Sequence, residues 1–156
     1  MPRSTFQIWN RLRRNAVGRW LFSRAICFKA PYFATIRPLV DQLEPGYCEL
    51  RFSKRRPVTN HIGTIHAIAM CNAAELAAGL ATEATTPPSF RWIPKGMTVS
   101  YLKPARTNVT ARARCALIGD LTDASTLQVS VDIYDLSGVL VFHAVIEMYV
   151  SRQKTT

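Results

Sequence analysis

The chain is 156 residues long, 48% hydrophobic, 19% charged and 10% aromatic, enough for one globular domain, too short for two ordinary ones and too apolar to be disordered. Its formal net charge is +10, but residues 1–40 hold eight Lys/Arg and no acid, whereas residues 41–156 hold twelve bases and ten acids. Subtraction puts +8 in the first quarter and +2 in the rest, which excludes a uniformly basic nucleic-acid-binding domain. The four cysteines, Cys27, Cys48, Cys71 and Cys115, stand more than twenty residues apart with no CxxC pair to chelate zinc. They read as buried free thiols in a reducing compartment.

The first element is a basic arm. Between Phe6 and Phe33 the apolar residues are interrupted by Arg11, Arg13, Arg14, Arg19, Arg24 and Lys29, so no run reaches the roughly 20 residues needed to cross a bilayer, and no uninterrupted signal-peptide core is present. At helical spacing Phe6, Trp9, Arg13, Ala16 and Trp20 share a stripe, with Arg3, Arg11, Arg14 and Arg19 largely elsewhere, giving an amphipathic basic helix. Such a helix either docks on its own domain or lies on an anionic membrane surface; a cleaved leader is a third reading. Residues 1–37 are taken as this arm and residues 38–156 as the body.

From Leu39 the period changes to two. Leu39, Asp41 and Leu43 alternate with Val40 and Gln42, Glu44-Pro45-Gly46-Tyr47 suits a type II turn, and Cys48, Leu50 and Phe52 continue the alternation, predicting a hairpin. The basic run Lys54-Arg55-Arg56-Pro57 leads into Asn60–His66. Ala67–Thr82 then reads as a helix, with seven alanines in sixteen residues and apolar positions nearly all round, hence buried. After Pro87-Pro88 four strands follow as a meander: Met97–Tyr101, Val109–Leu117, Leu127–Ile133 and Val139–Val150. The economical cover for a helix apolar on every side is an antiparallel sheet curling around it, closed by another copy of itself.

Among the acids only Glu75 falls inside the apolar helix, where a carboxylate is costly unless hydrogen-bonded, paired or functional. His66 stands at the helix start, as a cap or as a catalytic group, and Asn60 serves equally as a turn residue. The helix start after His66 offers unpaired N–H groups and the positive end of the dipole, suited to a polarised carbonyl or a developing oxyanion. Glu75 lies eight residues past Ala67, roughly 12 Å along the axis, too far to serve its own helix start. If both act in one site they come from different subunits, so the chemistry calls for a dimer. His61 and His66 are five apart, do not stack on one helix face and lack a third partner, so no metal site is expected.

At these residues the chain resembles the hotdog-fold acyl-CoA thioesterases related to phenylacetate-pathway thioesterases, and within them a branch of uncharacterised hotdog-domain proteins. Asn60-His61-Ile62-Gly63-Thr64-Ile65-His66-Ala67 resembles that family's Asn…Gly-Thr-x-His-Gly segment; Glu75 stands where it carries an acid; Met97-Thr98-Val99-Ser100-Tyr101-Leu102-Lys103-Pro104-Ala105-Arg106 is similar to its strand ending Tyr-Leu-Arg/Lys-Pro-Ala. The match covers about residues 38–150 and leaves the arm outside. The resemblance implies an α+β hotdog fold, an antiparallel sheet wrapped around one long Ala-rich helix, with an N-terminal helical extension. It also implies a thioesterase acting on acyl-CoA or a related thioester, without metal or cofactor, as a homodimer or dimer of dimers in the cytoplasm. In that reading Ala67 N–H polarises the carbonyl, Glu75 of the partner subunit is general base or nucleophile, and Asn60 and His66 orient substrate or water.

Two departures stand out. Ala67 replaces the family's usual Gly and Glu75 its usual Asp; about 1 Å of displacement can cost on the order of 100-fold in rate. Gly63, Arg91, Lys95, Lys103 and Arg106 are the substrate-binding candidates, the cations for coenzyme A phosphates, with Lys54, Arg55 and Arg56 as further cations. Arg112 and Arg114 read as solubilising or as a contact between sheets. The alternatives are a non-catalytic acyl-CoA or lipid-binding protein, brought to membranes by the arm, and a structural or nucleic-acid-interacting protein, disfavoured because the strands lack an aromatic platform.

Overall fold

The computed structural model describes residues 4–116 and 124–153. Where a single basic helix was expected there are two, α1 (Thr5–Leu12) and α2 (Ala16–Lys29), followed by a 3-10 segment, Pro31–Ile36. Local chemistry breaks the helix. Ser4 and Gln7 form a capping box at the start of α1, and Asn15 restarts the chain as the cap of α2, its Oδ1 accepting from Gly18 N–H at 2.8 Å. The stripe therefore splits: Trp9 is buried edge-on against Phe22, ring centroids 5.0 Å apart, while Ala16 and Trp20 face solvent. Gly18 is required at the crossing, because a Cβ there would sit 1.8 Å from the Leu12 carbonyl oxygen. Trp9, Phe22 and Ile36 belong to the same hydrophobic cluster as the strands, and Ser23 Oγ accepts from Val40 N–H at 2.9 Å, stitching α2 to the sheet.

The sheet has six antiparallel strands: β1 (Leu39–Glu44), β2 (Tyr47–Phe52), β3 (Phe90–Tyr101), β4 (Val109–Cys115), β5 (Ser125–Asp135) and β6 (Leu140–Arg152). The long helix α3 spans Ala67–Thr85. This is the hotdog arrangement. The hairpin β1–β2 forms as expected, with Gly46 at φ 81° in its turn. A bulge between Val40 and Gln42 breaks the strict alternation, so Val40 and Leu43, three residues apart, both point inward.

The expected four-strand meander is corrected. The strand order is β1-β2-β4-β5-β6-β3, so β3 pairs with β6 and not with its sequence neighbour β4. Once α3 has crossed the sheet, the chain emerges at the far side and β3 becomes an edge. It also begins earlier than its alternation suggested, at Phe90, because Pro94 and the bulge between Pro94 and Gly96 hide the period; an edge strand tolerates both. The expected extension of β4 to Leu117 lies outside the described residues.

Alanine lets helix and sheet approach. One transverse row of the sheet reads Cys48, Ala113, Val131, Ala144 and Val99, and α3 meets the sheet with Ala73, Ala74, Ala77, Ala78 and Ala81, all fully buried. Three of the four cysteines are buried and unpaired; burial pushes the Cys48 thiol far above its usual pKa. Cys71 departs from expectation by being half-exposed. Because the arm is packed into this core, Trp9→Ala should destabilise the whole chain by about 3–5 kcal/mol, read as a lowered midpoint in denaturant unfolding monitored on the sheet; a sheet transition that does not move would detach the arm from the core.

Candidate functional site

The segment before α3 is a closed turn. Asn60 Oδ1 accepts from Ile62 N–H at 3.2 Å and Thr64 N–H at 3.0 Å, its Nδ2 donates to Thr64 Oγ1 at 2.8 Å, and Gly63 takes φ 74°. The loop is fastened on two sides, by His66 N–H to the Val58 carbonyl and Ile65 N–H to the Ala105 carbonyl, each at 2.8 Å. The second bond joins Asn60–His66 to the Lys103–Arg106 segment, two stretches far apart in sequence. Asn60 thus holds the loop that presents the helix start, and Gly63 supplies its left-handed corner.

His66 caps α3: its Nδ1 accepts from Ile68 N–H at 3.1 Å. A ring accepting through Nδ1 carries its proton on Nε2, and that edge is exposed. The Ala67 N–H makes no hydrogen bond among the described residues, leaving the donor at the positive helix end free. Along α3 the partly exposed positions Ala67, Cys71 and Glu75 follow at intervals of four, one stripe on the face turned from the sheet. Cys71 Sγ lies 3.7 Å from the Tyr101 hydroxyl, and this contact first, desolvation second, raises the Tyr101 pKa.

Glu75 is half-buried and lines a cavity of about 240 Å³ between α3, the arm and β3. The walls are mostly apolar, with Ile26, Phe33, Leu76, Leu80 and Trp92 as the main surfaces. No hydrogen-bond partner engages the Glu75 carboxylate among the described residues. Trp92 Nε1 donates to Glu83 Oε2 at 2.7 Å, holding the indole over Gly79, where an added Cβ would come within 2.8 Å of the ring. Away from the cavity Asn72 Nδ2 donates to Thr35 Oγ1 at 2.9 Å, pinning the 3-10 segment that carries the lining residue Phe33.

The four catalytic candidates divide. Asn60, His66 and Ala67 form one unit at the helix start; Glu75 is two turns away on the same helix. The cations divide too: Lys103 and Arg106 lie beside the helix start, while Arg91 is near the far end of β3 and Lys95 in its middle, stacked over the Tyr149 ring at 4.0 Å. Arg55 donates to the Thr35 carbonyl. On the outer sheet face Arg112 pairs with Glu49 at 2.8 Å and Arg114 with Asp132 at 3.7 Å. Among the described residues no three His, Cys, Asp or Glu side chains converge as a metal site.

Sequence reasoning missed Cys71, Asn72, Phe33, Trp92 and Glu83. The interval of four linking Ala67, Cys71 and Glu75 was a usable signal for Cys71 and, continued through Gly79, for Glu83; Phe33 and Trp92 reach the cavity, and Asn72 reaches Thr35, through tertiary packing that left none.

Residues 18–150 match the family model described as "Domain of unknown function (DUF4442)". Among solved structures, the structural-genomics protein APC5556 is 44% identical, with 96% of this chain and 99% of that chain covered and a TM-score of 0.82. A thioesterase from Haemophilus influenzae is 16% identical over 80% of this chain and 85% of its own, TM-score 0.70. A thioesterase family protein from Silicibacter pomeroyi is 20% identical over 84% and 96%, TM-score 0.72. The latter two share the fold. No curated protein matches the sequence.

The Trp92–Gly79 contact yields a test. Gly79→Val should cost about 1–3 kcal/mol through overpacking, and Trp92→Phe in the same chain should recover part of it; thermal unfolding of the two single variants and the double variant measures the coupling.

Proposed function

Because this chain belongs to the DUF4442 family and has the hotdog fold, we propose that it is a thioesterase hydrolysing acyl-CoA or a related acyl thioester at a site shared by two subunits. The observation that carries the reading is the unpartnered carboxylate of Glu75, set in the wall of an apolar cavity on the same stripe as the free Ala67 N–H. In the proposed mechanism the thioester carbonyl sits at the helix start, where the Ala67 N–H and the helix dipole stabilise charge as it develops on oxygen. Glu75 of the partner subunit takes a proton from water, which attacks the carbonyl carbon; the thiolate leaves and is protonated. Direct attack by the carboxylate is the other route. His66, through its free Nε2–H, orients the substrate, while Asn60 keeps the loop in shape.

A shared site requires at least a dimer, since Ala67 and Glu75 stand roughly 12 Å apart on one helix. The free side of β3 and the apolar exposure of Ile62, Ile68, Ile93, Tyr101 and Leu102 around the site support such a contact. A dimer of dimers is compatible with it. Lys103 and Arg106, with Arg91 and Lys95 from the first half of β3, are assigned to coenzyme A phosphates. The cavity is assigned to the acyl group. Its 240 Å³ exceeds the roughly 150 Å³ that accommodates benzene, so an aryl or medium-length acyl group fits. Action in the cytoplasm, where acyl-CoA is found, belongs to the same proposal.

Thiol release from an acyl-CoA panel tests the reading. Glu75→Gln should lower the rate about 100- to 10,000-fold, while binding of the acyl-CoA, measured by calorimetry, stays within a few-fold. Release at background level from both proteins, with binding retained, would instead leave a non-catalytic acyl-CoA-binding protein, the reading favoured by Ala67 in place of glycine. Sedimentation should return two or four times the 17.5 kDa of one chain, and a mass of 17.5 kDa would remove the shared site.

A further inference from the structure

Helix α2 needs one apolar face to dock and has two. Phe22, Ser23 and Cys27 turn inward, whereas Val17, Leu21 and Phe28, at positions i, i+4 and i+11, form a stripe on the other side. Phe28 is 91% exposed, Val17 67%, Trp20 54%, and Tyr32, in the 3-10 segment that continues the helix, 65%. Large apolar side chains left in water along one line mark a contact surface. The stripe carries three aromatic residues, Trp20, Phe28 and Tyr32, and two of these types concentrate where hydrocarbon meets headgroups.

Charge selects the occupant. Residues 1–40 carry eight Lys/Arg and no acid, and among the described residues none of these cations lies within 4.0 Å of a carboxylate. Arg13 and Arg14 precede the stripe in the turn between α1 and α2, Lys29 follows Phe28, and Arg37 ends the 3-10 segment. Arg55 joins this end through its bond to the Thr35 carbonyl; burial, and then the nearness of Arg37, lower its pKa. A second copy docking here about a two-fold would bring the same surface, and the same positive charges, face to face. An anionic surface meets no such repulsion.

We propose that the Val17–Tyr32 face of the arm is a peripheral membrane-docking surface for anionic phospholipid, with the aromatic stripe inserted at the headgroup level and the flanking arginines on lipid phosphates. The inference is independent of the thioesterase reading. It would also place a cavity lined by Ile26, Lys29, Ala30 and Phe33 from the same helical segment next to the lipid interface.

Co-sedimentation of the full chain with vesicles decides it. Vesicles of phosphatidylcholine and phosphatidylglycerol should pellet the protein, vesicles of phosphatidylcholine alone should not, and added salt should release it. Removing two charges with Arg13→Gln plus Arg14→Gln should weaken binding about 30-fold. Trp20→Ser plus Phe28→Ser, at solvent-facing positions, should weaken it by at least about tenfold while leaving the thermal midpoint and thioester hydrolysis in solution unchanged. Equal pelleting with both vesicle types, or with neither, would overturn the proposal. So would a smaller sedimenting mass of the Trp20→Ser plus Phe28→Ser variant without lipid, which would assign the stripe to a second copy of the chain.

Discussion

The closeness of the central helix to the sheet is the constraint on which the rest depends. Five alanines on α3 face a sheet row whose middle members are Ala113, Val131 and Ala144, so backbones approach to a distance that larger side chains would forbid. The partly exposed positions are thereby displaced to the opposite side of the helix. Ala67, Cys71 and Glu75 are where they are because the sheet-facing positions admit little beyond methyl groups.

That outward side would be bare without the arm. The 3-10 segment, held by Asn72 and Thr35, and the end of α2 convert a helix face into a walled cavity. Trp92 closes the remaining side by lying flush on Gly79, the position of α3 where even a methyl group would strike the ring. The match of the family model from residue 18 onward agrees with this packing: α2 is part of the matched region. Cavity and helix start are separate features of one chain, set two turns apart along α3.

Much of the fold was legible in the residues because the signals were local. The hairpin, the alanine helix and the strands β4, β5 and β6 each announce themselves through a period of two or of about 3.6. Position in the sheet is not local. The alternation from Met97 to Tyr101 marks a strand but says nothing of whether it pairs with β4 or β6, and Pro94 concealed its first half. The bulge in β1, which puts Val40 and Leu43 on one face, left no mark in the alternation from Leu39 to Leu43. At the site, Asn60, Gly63, His66 and Ala67 are contiguous in sequence and were found together. Phe33, Asn72 and Trp92 come from three separate elements, and only the folded chain assembles them.

The crossing of α1 over α2 ties two properties together. At Gly18 the Leu12 carbonyl occupies the place of a side chain, and the two helices that meet there carry Trp9 against Phe22 and bring Thr5 and Ile26 to the cavity wall. Any bulk added at that one backbone crossing would prise the helices apart and reshape the chamber in the same motion. Tolerance for substitution at this crossing and the width of the cavity are therefore linked through a single joint.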